Sequence, residues 1–190
     1  MTSIHETAFP RFKPELSQRE LTEVYTPSDE ELRFARRTGR TAPAPLYIML
    51  LLKAVQRLSY IPMLADIPAP IVFFLSKSTN SRFIPARDIA LEERSDSRQH
   101  FMEAIRSYLG IRPVTADTDS AIQLAATCAA QTKQELVDII NVVIEELIRQ
   151  RFELPAFSTL NRKAQKVRNQ VNDRYPFAGR TPSRASHREI

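Results

Sequence analysis

The chain has 190 residues, of which 43% are hydrophobic, 26% charged and 3 glycine. Such a length gives one ordinary core or two small ones, and the hydrophobic fraction excludes a chain disordered over most of its length. A single cysteine excludes an internal disulfide, and no apolar run approaches the roughly 20 residues that a membrane-spanning helix needs.

The net charge of +5 is unevenly spread. Residues 149–190 carry ten Lys and Arg against three acids, while residues 1–148 carry 17 against 19. A basic end on a near-neutral body suits a polyanion, but charge alone equally allows a solvated tail. The N-terminus lacks the basic patch and apolar run of a signal peptide. A soluble, cytoplasmic protein is expected.

Every predicted element is a helix. Ser17 and Glu20 form a capping box that opens a helix running to about Tyr25. Thr26 then reads as the N-cap of a second helix, with Pro27 at the first helical position and Asp29, Glu30 and Glu31 on the positive helix end. Arg36 and Arg37 suit its negative end, and Gly39 reads as a left-handed cap. A proline turn over residues 40–45 leads to a third helix, about Ala44 to Leu58. That helix is apolar on most faces and is expected at the centre of the first unit. A short helix follows, about Ala69 to Ser76.

Residues 77–96 are polar and read as a linker. A second unit, residues 97–175, begins with a helix on which Phe101, Ile105 and Leu109 share a face and which stops at Gly110. Asp117 or Asp119 is expected to cap the next helix, which ends near Ala130. It contains Cys128 within Leu124-Ala-Ala-Thr-Cys-Ala-Ala130, read as a buried packing residue. The longest helix is expected over Thr132 to Phe152. After the Leu154-Pro155 turn, a last helix starts at Ser158 and fades near Asn172. Residues 176–190 are expected to be disordered.

That last helix is the most informative element. At 100° per residue Leu160, Ala164, Val167 and Val171 fall within about 60°, a core-facing stripe. The far face carries Thr159, Arg162, Gln165, Lys166 and Asn169, the side-chain types that meet phosphates and base edges. A helix, a short turn and a polar basic helix follow the order of a helix-turn-helix; periodicity alone also allows an ordinary amphipathic surface helix. Arg33, Arg36, Arg37 and Arg40 form a second basic group ahead of the third helix. They suit phosphate contacts, and helix-dipole complementarity explains part of the group. Catalytic signals are absent: His5, His100 and His187 are isolated, and no glycine-rich phosphate loop occurs.

Several ordered pieces resemble one family. They are Phe12-Lys-Pro-Glu-Leu16; Glu23-Val-Tyr-Thr-Pro-Ser-Asp-Glu-Glu-Leu32; the apolar run Leu46 to Tyr60 followed by Ile67-Pro68; Arg94, Arg98 and His100 with Ile105-Arg-Ser-Tyr-Leu-Gly-Ile-Arg112; and Glu153-Leu-Pro-Ala-Phe-Ser-Thr-Leu160 within Arg149 to Arg162. In order and spacing, from about Pro10 to Arg168, they resemble the uncharacterised N-terminal region of the replicative transposases of class II transposons, the Tn-three family. The chain departs from that pattern after Ser76, where Ser-Lys-Ser-Thr-Asn-Ser replaces a glutamine–leucine–glycine-like segment.

The resemblance implies an all-α fold of two small helical bundles of tandem helix-turn-helix type. It implies sequence-specific binding of double-stranded DNA at transposon terminal inverted repeats, in the bacterial cytoplasm. DDE-type catalytic residues would lie downstream, so neither enzyme activity nor a cofactor or metal is expected in this chain. The expected DNA-contacting set is Arg36, Arg37, Arg40, Arg94, Arg98, His100, Thr159, Arg162, Lys163, Lys166 and Asn169. The alternative is a protein-interaction module or truncated regulator that pairs with a full-length transposase.

Overall fold

The computed structural model describes residues 2–40, 42–81 and 96–174. Among them are eight α-helices and no strand: α1 (Gln18–Tyr25), α2 (Asp29–Thr38), α3 (Ala44–Leu58), α4 (Ala69–Ser78), α5 (Asp96–Leu109), α6 (Ala116–Ala130), α7 (Leu136–Arg149) and α8 (Phe157–Arg174). No helix among the described residues is long and apolar enough to cross a membrane. Most of the expected linker, Arg94 and the expected tail over 176–190 lie outside the described residues.

The helix starts obey capping chemistry. Ser17 and Glu20 satisfy each other's backbone N–H at the head of α1. Ser28, not Thr26, caps α2: Glu31 N donates to Ser28 Oγ at 3.2 Å, and Ser28 N to Glu31 Oε2 at 2.7 Å. The S-x-x-E box outweighs Pro27, which stands just outside the helix. Thr115, not Asp117 or Asp119, caps α6, with its N–H held by Thr118 Oγ1 at 3.0 Å. The two aspartates instead lie in the first turn, where the helix dipole favours them.

Gly39 is not a left-handed cap, since its φ is −108°. Its reason is space: a Cβ there would meet Ala44 Cβ at 2.7 Å and Ile48 Cδ1 at 2.8 Å. Glycine lets α2 close directly onto α3. Gly110 does take the left-handed conformation, at φ 64°, and ends α5 as expected.

Two hydrophobic clusters form the interior. In the first, α3 runs through the middle, with Leu46 to Leu52 all buried; α2, α4 and α5 pack against it, and α1 packs on α4. Each fully buried leucine or isoleucine contributes roughly 1.5–3 kcal/mol. In the second, α6, α7 and α8 pack as a three-helix unit. The clusters divide the chain differently from the expected units. Phe101 and Ile105 of α5 lie in the first cluster, against α3, while Phe9 from the N-terminal segment lies in the second.

Polar ties close the seam. Leu154 N donates to Ser59 O at 2.8 Å. Arg106 of α5 meets Glu153 at 2.8 Å, largely buried. Arg112 N donates to Arg151 O and Glu153 N to Arg112 O, each at 2.8 Å, which makes one isolated parallel bridge between Arg112 and Phe152, and Ala8 N donates to Asn141 Oδ1 at 2.7 Å.

Candidate nucleic-acid interface

α8 owes its orientation to its apolar stripe. Leu160, Ala164 and Val167 are each 1% exposed, and Val171 packs at the edge of the same cluster. The opposite face is therefore fixed toward solvent. Arg162, Lys166 and Asn169 are exposed there, with Thr159 and Gln165 half-buried at its borders. Gln165 donates to Asn169 Oδ1 at 2.9 Å, which sets the amide of one against the other. Among the described residues neither Arg162 nor Lys166 has an ion pair.

Lys163 points elsewhere. It pairs with Asp119 in the first turn of α6, so its charge ties α8 to α6. Sequence reasoning missed Asn161 and Arg168. They lie two turns apart on the flank of α8, and among the described residues Asn161 Oδ1 and Arg168 Nε are buried without a hydrogen-bond partner. Their seven-residue spacing was the available signal.

The turn before α8 spans residues 150–156. It is longer than the three or four residues of a short helix-turn-helix turn. The extra length is part of the core: Phe152 to Pro155 are buried, and Arg151 takes φ 57°. α7 covers only Leu136–Arg149, not Thr132 to Phe152. The left-handed Arg151 and the buried turn after it stop the helix before Phe152. At its end Arg149 meets Glu146 at 2.6 Å, and hydrogen bonds from Arg149 and then Gln150 hold the Glu146 carboxyl at about 2.

The arginines of the first unit are placed on α2 and just beyond it. Arg33, Arg36, Arg37 and Arg40 are all exposed. The helix after them cannot serve as a recognition helix, because α3 is buried from Leu46 to Val55, Lys53 included. Lys53 is consumed by Glu31, which also accepts from Gln56 at 2.7 Å. Burial raises the Glu31 pKa, but hydrogen bonds from Lys53, the Ser28 backbone and Gln56 outweigh it and leave the carboxyl below its ordinary value.

On α5, Arg98 is half-buried and donates to Pro62 O at 3.0 Å, a contact that fixes the chain after α3. His100 is exposed, with Phe101 beside it. Arg94 lies outside the described residues. Cys128 is exposed rather than buried: α6 turns Ala125, Ala126 and Ala129 inward and leaves Cys128 with Leu124 on the outer side.

The structure thus brings Thr159, Arg162, Lys166 and Asn169 onto one face. It places Arg36, Arg37 and Arg40 on a different element. Residues 1–167 match the profile of a family described as a domain of unknown function, DUF4158. No curated protein matches the chain.

Proposed function

We propose that this chain, which belongs to the DUF4158 family, binds double-stranded DNA sequence-specifically through α8, as the non-catalytic N-terminal part of a Tn-three-type transposase. The observation that carries the reading is α8 itself. One face is sealed in the three-helix core, and the other offers Arg162, Lys166 and Asn169 to solvent. Arginine and lysine reach guanine edges and phosphates, and asparagine reads adenine. A rigidly backed helix of this composition is what a trihelical DNA-binding unit presents to the major groove. On this reading the chain works on DNA in the bacterial cytoplasm, and strand cleavage and joining belong to residues outside it.

A gel shift tests this, with the terminal inverted repeat that flanks the encoding gene set against a scrambled duplex of equal length. Retention of the repeat alone supports the reading. Equal retention of both at physiological salt overturns sequence-specific recognition.

A second reading, a protein-interaction module regulating transposition, has one observation in its favour. Leu124 is 66% exposed, and it lines a cleft of about 390 Å³ with Cys128 and Val142 between α6 and α7. The buried α3 offers no such patch.

A further inference from the structure

Two clefts meet where the hydrophobic clusters join. The larger, about 780 Å³, runs between the N-terminal segment and the end of α3. The smaller, about 390 Å³, lies between the ends of α3 and α5 and the turn after α7. Ser59 and Ile148 belong to both linings, so the two are adjacent. Every Lys, Arg, Asp or Glu in them is basic: Arg11, Lys13 and Arg57 in one, Arg149 and Arg151 in the other.

Two of these charges are offset by carboxylates outside the linings, Lys13 by Glu20 and Arg149 by Glu146. Three remain. Arg11 donates to His5 Nδ1, and Arg151 to Leu109 O at 3.3 Å, so both guanidinium groups are tethered rather than free-swinging. Arg57 is exposed in the last turn of α3 and has no ion pair among the described residues. The cleft also adjoins the recognition helix. Phe9, in its wall, packs edge-on against Phe157, the first residue of α8, with ring centroids 5.6 Å apart.

We propose that this seam is a second anion site, which takes the phosphodiester backbone of the duplex whose bases face α8. The inference rests on the DNA-binding reading above. Cations strung along adjacent clefts, three of them without a carboxylate partner among the described residues, suit a run of phosphates. Their place beside the N-terminal end of α8 puts them where backbone flanking the read bases would pass.

The test compares three proteins on the inverted repeat and on scrambled duplex over a salt series: wild type, Arg11→Ala/Arg57→Ala, and Arg19→Ala. Arg19 is exposed, pairs with Glu23 and lines neither cleft. The double variant is expected to weaken binding to both duplexes by the same factor, with the slope of log K against log salt shallower by about two units. The ratio of the two affinities should stay at the wild-type value, and Arg19→Ala should match wild type. A double variant with wild-type affinity and slope, or one that changes only the ratio, overturns the seam site and leaves the α8 reading standing. A wild-type chain that binds neither duplex overturns both.

Discussion

At the scale of single residues, Glu31 and Lys53 form a buried ion pair. They are 7% exposed each, and their pairing joins α2 to the central helix. Removing one partner strands a buried charge, so Lys53→Met is expected to cost about 3–5 kcal/mol in urea denaturation. Glu31→Gln with Lys53→Met keeps the capping-box side chain and removes both charges, and most of the loss should return. The pH dependence has a definite sign. The folded Glu31 pKa lies below its ordinary value of 4.5. Its contribution is therefore complete above 4.5 and is lost as pH falls through the folded value. The acid limb of the wild-type unfolding curve should flatten in the double variant.

Gly39 makes a second residue-scale point. Its place after two arginines reads as a helix end, and the helix does end there. The reason is the close approach of α3, which no local pattern shows. Gly39→Ala is expected to destabilise by about 1–3 kcal/mol through overpacking. A left-handed cap would predict the same direction, but only the packing account predicts partial rescue by Ala44→Gly, which frees the nearest atom. Thermal melts of the three variants separate the two explanations.

At the scale of elements, the α8 stripe was legible because a 3.6-residue period leaves one geometric solution. Pro27, favourable at a first helical position, points to an α2 start two residues too early, although Ser28 and Glu31 spell the capping box. The apolar pattern continues through Phe152 and so overruns the end of α7, which the left-handed Arg151 and the buried turn after it stop. A run of small residues has no clear inner face, which is why Cys128 reads as buried although it is exposed. Of the expected contact residues, Lys163 matches Lys166 in type but lies off the far face, and Asp119 takes up its charge.

The decisive element-scale variant is Arg162→Ala/Lys166→Ala. Both side chains are exposed and opposite the stripe, so stability should stay within about half a kcal/mol of wild type. DNA affinity should fall. Contact with a base edge lowers discrimination by about 1–3 kcal/mol at one position, whereas phosphate contact weakens all sequences alike. Unchanged affinity in the folded variant removes α8 from the interface.

At the scale of the whole molecule, periodicity gave Phe101 and Ile105 a common face but not the core that the face meets. The helix that was expected to open the second unit completes the first. Phe9 sits in a segment without helical period and carried no signal, yet it stacks on Tyr60, contacts Phe157 and is 6% exposed in the second cluster. Phe9→Ala is expected to cost about 3 kcal/mol. Hydrogen exchange should show the lost protection in α7 and α8 rather than in α1, its neighbour in sequence. Arg11, Arg57 and Arg151 were invisible as a group for the same reason, since they come from three segments that meet only at the seam.

The claim that joins these scales is that the chain reads a particular DNA sequence. Hydroxyl-radical footprinting of the element's end, at physiological salt with excess competitor duplex, measures it directly. The account predicts a discrete protected window inside the terminal inverted repeat that survives the competitor. A pattern with no protected window, or protection that the competitor erases, would contradict it.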